Sequence, residues 1–294
     1  MLYDIRLSIE YDYETPAEAG LHVLRMVPRA LAPLQKVIES RLDFDPLPAG
    51  RSERFDFFGN PVTTIRYGEA VTRTAFLMTA LVDRQPGRVP DDTSPPLEDL
   101  KAGIRAIASL GPQAPHHFLP PSPRVSPDPI VTAWAAGIAV GAASVFAIVS
   151  KLCAALHEEM VFDPTSTAVD TPFSEAFAAR HGVCQDFSHV MIAALRSLGI
   201  PAGYVSGFLR TIPPEGQPRL EGADAMHAWV TAWCGPGMGW IEFDPTNNLI
   251  AGEDHVVVAL GRDYFDVAPV KGNLRMSGGQ TSLQSVDMIV RQPG

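Results

Sequence analysis

Between Pro86 and Pro129 prolines fall so densely, with Pro95-Pro96, Pro120-Pro121 and Pro127-x-Pro129 among them, that no continuous helix or central strand can run through. The stretch reads as a linker or a strap over the surface, framing one helix at Leu97 to Leu110. It also separates two kinds of sequence. A chain of 294 residues suits two domains at roughly 100–200 residues each, and the expected division is residues 1–88, a linker at 89–129, a core at 130–272 and a polar tail at 273–294, read as poorly ordered.

Before the prolines the pattern is that of strands. Tyr3, Ile5, Leu7, Ile9, Tyr11 and Tyr13 alternate with mostly polar residues, the period of a strand with one buried face. Leu21 to Val27, Leu34 to Phe44, Arg54 to Phe58, Val62 to Tyr67 and Thr72 to Val82 continue it, punctuated by Pro28, Pro46, Gly59-Asn60-Pro61 and Pro86-Gly87. Short strands with regular turns predict a β-sandwich.

After the prolines, Ile130 to Ser150 carries no charge and is long enough to span a bilayer. Its Ala, Gly, Ser and Thr content is too weakly apolar for that, and Ile130, Trp134, Ile138, Phe146 and Val149 recur near helical spacing. A buried helix near Ile130 to Met160 is the better reading. Strands return at Gly203 to Arg210, His227 to Trp233 and Trp240 to Asp244, so the class is α+β.

Composition narrows the partners. With 46% hydrophobic residues the chain can bury real cores. A net charge of −10, from 33 acidic against 23 basic residues, disfavours nucleic acid and anionic membrane. Cys153, Cys184 and Cys234 are odd in number and form no C-x-x-C pair, which suggests neither a disulfide framework nor a thiolate metal cluster. Asp4, Arg6 and Glu10 interrupt any signal-peptide core, so a cytoplasmic location is expected.

The most informative segment is His181 to Pro201. Phe187, Val190, Met191, Ala194, Leu195 and Leu198 draw one apolar stripe along a helix that Gly199 and Pro201 stop. Gly182 permits close backbone approach just before its start. Cys184 falls in the first turn, where unpaired N–H groups and the positive end of the dipole favour an anionic sulfur and can hold an oxyanion.

A cysteine at a helix start is more often packing than a nucleophile, so partners decide. His189 lies on the same helix about 140° round from Cys184, and His181 has no evident carboxylate. His22, His116, His117, His157 and His255 have no visible tie to the thiol. His227 differs: it begins a strand whose turn, Gly235 to Gly239, leads into Trp240 to Thr246. In such a hairpin Asp244 falls opposite His227 or diagonally across from it, with both side chains on one face. That is the base and orienter of a nucleophilic triad. Trp229, Trp233 and Trp240 read as core and cleft wall, Asp186 as a helix cap, and Cys153 and Cys234 as inert buried thiols.

Gly-Val-Cys-Gln-Asp-Phe at 182–187, Arg-Ser-Leu-Gly-Ile-Pro-Ala-Gly-Tyr-Val-Ser-Gly at 196–207, His-Ala-Trp-Val at 227–230 and Gly-Trp-Ile-Glu-Phe-Asp-Pro-Thr at 239–246 resemble the bacterial transglutaminase-like family of cysteine proteases. Asp-Phe-Phe-Gly-Asn at 56–60 and the segment 261–272 resemble the flanking parts of that family. Phe162, where relatives often have Tyr, and Ala202, where Arg is frequent, depart from it. The resemblance implies a papain/transglutaminase-like core, a cysteine-bearing helix on an antiparallel sheet, behind the N-terminal β domain. It also implies Cys184 as nucleophile, His227 as base and Asp244 as orienter, acting on a peptide or protein substrate by acyl transfer. Hydrolysis is preferred, with amine transfer or a non-catalytic peptide-binding cleft as alternatives. No metal or cofactor is expected, and a partner of the ATP-grasp type is implied by resemblance only.

Overall fold

The computed structural model describes residues 1–87, 91–211 and 224–291. Its first part holds five strands: β1 (Leu2–Leu24), β2 (Gln35–Asp45), β3 (Gly50–Phe55), β4 (Pro61–Arg66) and β5 (Val71–Arg84). Next come α1 (Leu97–Arg105), α2 (Pro129–Ala139), α3 (Val145–Glu159), β6 (Val161–Phe162), α4 (Phe173–Ala179), β7 (His181–Gly182) and α5 (Cys184–Ser197). The remainder is β8 (Ala202–Leu209), β9 (Ala225–Trp233), β10 (Trp240–Asp244), β11 (Leu249–Ile250), β12 (His255–Gly261), α6 (Tyr264–Val267), β13 (Val270–Arg275) and β14 (Gln280–Val290).

The N-terminal region is a curled, antiparallel sheet organised around β1. At 23 residues β1 is long enough to serve two halves. Its first half pairs with β5 and β14, and its second half with β4 and β13. The register shifts between Asp12 and Ala17, where the strand passes from one half to the other. Tyr3, Ile5, Leu7, Ile9 and Tyr13 are buried, as their alternation predicts.

The tail does not behave as expected. Instead of being poorly ordered, residues 280–290 form β14 and pair with Tyr3 to Tyr13 along eleven positions. Only Val286 and Met288 among its apolar residues are buried to any depth, and Leu283 is exposed. A strand held by ladder hydrogen bonds with so small an apolar face leaves little periodicity to read. Residues 292–294 of the expected tail, 89–90 of the expected linker and 88 at the end of the expected N-terminal domain lie outside the described residues.

The long helix expected from Ile130 is two. Gly141, at φ +71°, breaks the chain after α2, and Ser144 accepts the Ala147 N–H to start α3. No helix among the described residues is long and apolar enough to cross a membrane. In the proline-rich stretch α1 stops at Arg105 rather than Leu110, yet Leu100, Ile104, Phe118 and Val125 are buried, which makes this a packed strap.

The core sheet has the order β11-β10-β9-β8-β12, all antiparallel. Helix α5 packs on β9 and β8, with α2, α3 and α4 around it. Phe187, Val190, Met191, Ala194 and Leu195 are buried, and each large side chain among them contributes about 1.5–3 kcal/mol. Ile192 and Ala193 are buried too, because helices cover the face the sheet does not. The β region is clasped to this core by Asn60, which accepts from Leu260 N at 2.8 Å and donates to Leu260 O at 2.7 Å. Gln35 makes the same two-way contact with Val257.

Candidate active site

Cys184 is the first residue of α5, and Val183 before it is extended. Asp186 folds back so that its Oδ2 accepts from Val183 N at 2.9 Å and from Thr167 Oγ1 at 2.6 Å. The fold-back explains Gly182: a Cβ there would lie 2.8 Å from Asp186. Asp186 is therefore the helix cap. By position in the first turn, the Cys184 N–H has no intrahelical acceptor, and the residue is half-buried, unlike Cys153 and Cys234.

His227 arrives from β9. Phe243 pairs with Val230, so Asp244 stands two positions along from His227, the diagonal arrangement. His227 Nε2 and Asp244 Oδ2 are 2.7 Å apart. Cys184 lies close enough to the imidazole to raise its proton affinity. With Nε2 engaged by Asp244, Nδ1 is the nitrogen left for the sulfur. The three residues named from the sequence are thus brought together from α5, β9 and the end of β10.

The electrostatics follow from this contact set. Burial pulls the imidazole of His227 down, but the hydrogen bond of Asp244, the nearby Cys184 and the charges of both push it up to about 10. Burial would raise the Asp244 carboxyl, yet the hydrogen bonds of His227 and His255, the charge of His227 and the Asn247 amide hold it far below the usual range. Its Oδ1 accepts from Thr246 N at 3.0 Å and Asn247 N at 3.2 Å, and its Oδ2 from Asn247 Nδ2 at 2.7 Å. Trp229 is fully buried, its ring stacked 6.0 Å from His227 and edge-on 5.1 Å from His255, and its Nε1 donates to Glu242 at 2.8 Å. It screens the pair from solvent.

Sequence reasoning missed His255. Its Nε2 lies 3.1 Å from the Asp244 Oδ2 that His227 also uses, although the residue is eleven positions further on and starts β12. Nothing in a lone histidine at a strand start announces a partner across a sheet. His189 and the two other thiols fall as expected: His189 is buried, accepts from Tyr264 N and is pushed down to about 4 by burial, and burial raises Cys153 and Cys234 to about 12.

His227 Nε2, Asp244 Oδ2 and His255 Nε2 lie within 4.8 Å of one another, a donor set that suits a divalent metal by type. Both nitrogens, however, are directed at a single carboxylate oxygen and serve it as hydrogen-bond partners. A metal would have to displace those bonds.

Residues 132–245 match the model of the transglutaminase-like superfamily, and residues 3–83 that of the bacterial transglutaminase-like N-terminal region. The chain belongs to the transglutaminase-like superfamily. Among its relatives, an uncharacterized protein of Mycobacterium leprae is 33% identical over 291 residues, covering 97% of this chain and 96% of that one. An uncharacterized protein of Mycobacterium tuberculosis is 32% identical over 259 residues, covering 87% and 82%. In three dimensions this transglutaminase-like chain is similar to a crystal structure from Cytophaga hutchinsonii described as a "Putative Cysteine Protease", with a TM-score of 0.75 and 23% identity over 100% of this chain and 92% of that one. That likeness extends the shared fold across both regions.

Proposed function

We propose that the chain is a cysteine-dependent hydrolase of peptide or carboxamide bonds that works through a thioester. The observation that carries this is the buried His227–Asp244 pair, 2.7 Å apart, set beside a half-buried Cys184 whose influence raises the imidazole. In this mechanism Sγ of Cys184 attacks the carbonyl carbon and its own backbone N–H donates to the developing oxyanion. The carbon–nitrogen bond breaks, and His227, held protonated by Asp244, gives its Nδ1 proton to the departing amine. Water then attacks the thioester carbon and passes a proton to His227, the carbon–sulfur bond breaks to return the Cys184 thiolate, and the freed acid leaves. Asp244 stays ionised throughout and keeps the ring in orientation.

The test is a library of peptides and carboxamides incubated with wild type and Cys184→Ala, with and without a primary amine, and read by product mass. Hydrolysis products from wild type alone support the proposal. Amide-exchanged product that dominates when amine is added would reassign the second step to transfer, and equal product from both proteins would remove Cys184 from the chemistry.

A further inference from the structure

Away from Cys184, the curled sheet holds a cavity of about 260 Å³. Tyr11, Tyr13 and His22 of β1 line one side of it, and Val270, Gly272 and Leu274 of β13 the other. His22 is 1% exposed, and among the described residues neither Nδ1 nor Nε2 has a hydrogen-bond partner. Its ring is walled edge-on by Tyr67 at 5.7 Å and Phe76 at 5.4 Å. The Tyr67 hydroxyl is likewise buried without a partner. Each such group costs about 1–3 kcal/mol when left unsatisfied, and two of them belong to His22, which lines the open volume, so the site calls for an occupant.

Chemistry narrows that occupant. Burial pushes His22 down to about 4, so its ring is neutral near pH 7 and presents one donor and one acceptor. None of the residues lining the cavity is charged, which leaves an ion without a counter-charge. A hydroxyl can both donate to one ring nitrogen and accept from another group, and the aromatic walls suit a flat ring. The volume exceeds the roughly 150 Å³ that holds benzene in an engineered cavity. It would also admit the added hydroxyl.

Gly272 lines the cavity against the His22 ring. It pairs directly opposite His22, and a Cβ built on it would sit 3.5 Å from Nε2, an ordinary contact that covers the nitrogen. Its backbone is not left-handed, so an alanine can be carried there without strain. This glycine closes the segment 261–272 that the sequence singles out and that the proposed chemistry leaves unused.

We propose that the cavity beside His22 binds a single-ring aromatic alcohol, either as a free phenol or as the side chain of a tyrosine in a peptide. The site is independent of Cys184, so the proposal stands or falls apart from the hydrolase reading.

The experiment follows the ring nitrogens of His22 by NMR in the full chain labelled with ¹⁵N-histidine, titrated with p-cresol, toluene and N-acetyl-tyrosinamide. p-Cresol should shift both nitrogens saturably, with toluene weaker by about tenfold or more. Cys184→Ala should bind p-cresol as wild type does. Gly272→Ala should keep its circular dichroism spectrum and lose binding by about tenfold or more, and His22→Phe should no longer distinguish p-cresol from toluene. N-acetyl-tyrosinamide binding as well as p-cresol assigns the site to a peptide side chain; binding of p-cresol alone assigns it to a free phenol. Unmoved His22 resonances in p-cresol, meaning a cavity filled by solvent only, would overturn the proposal. So would equal binding of toluene, or undiminished binding by Gly272→Ala.

Discussion

His255 Nε2 donates to Asp244 Oδ2 across 3.1 Å, because its Nδ1 faces the Gly252 N–H at 3.4 Å and takes the acceptor role. The carboxylate that orients His227 is therefore itself fixed from β12, a strand that contributes nothing else to the site. His255 is a positioning residue in this arrangement. Loss of a hydrogen bond to a buried charge is worth about 1.5–3 kcal/mol. His255→Ala should raise the Asp244 carboxyl, bring the His227 imidazole down from about 10, and move acid unfolding to higher pH, with His255→Gln recovering part of each change. The imidazole titration of His227, followed by NMR, checks this; an unchanged titration would reduce His255 to packing.

The His227–Asp244 pair sets a pH window for stability. His227 is raised above its usual 6.5, so its contribution is complete below that value and is lost as pH rises through about 10. Asp244 is lowered below its usual 3.8, so its contribution is present above that value and is lost as pH falls further. Denaturant midpoints measured from pH 3 to 11 should show a plateau between. In His227→Gln the alkaline fall near pH 10 should be smaller than in wild type.

Gly207 pairs with His227 from β8, and a Cβ there would lie 2.2 Å from Val256 O and 2.4 Å from the Trp229 ring. Two unyielding neighbours leave no room for repacking. Gly207→Ala should destabilise the chain by about 3 kcal/mol and, by moving Trp229, disturb the imidazole it stacks on. Thermal unfolding measures the first effect and His227 NMR the second.

Truncation after Arg275 removes β14, with the buried Val286 and Met288, and exposes the edge of β1 from Tyr3 to Tyr13. An unpaired edge of this length invites intermolecular pairing. The shortened chain should aggregate at concentrations where the full chain stays dispersed, as light scattering would report.

What could be read in advance divides along physical lines. Signals local in sequence transferred well: the alternation of Tyr3 to Tyr13, the stripe of α5, and the hairpin that sets Asp244 diagonally from His227 within one register. Each depends on geometry over a few residues. Features built by distant partners were invisible. Asp244 has His255 as a neighbour only because β12 closes the far edge of the sheet beyond β8. The tail is a strand only because β1 offers it a free edge, and the apolar run from Ile130 divides because Gly141 adopts a left-handed turn that its flanking small residues do not announce.

The central claim is that Cys184 is activated by the imidazole that Asp244 holds. Iodoacetamide labelling at pH 6, with each cysteine followed by peptide mass, tests it most directly. Cys184 should label faster than buried Cys153 and Cys234 by about tenfold or more, and His227→Ala should remove that excess while leaving the other two unchanged. Slow, equal labelling of all three thiols in the wild-type chain, or an unaltered Cys184 rate in His227→Ala, would contradict the claim.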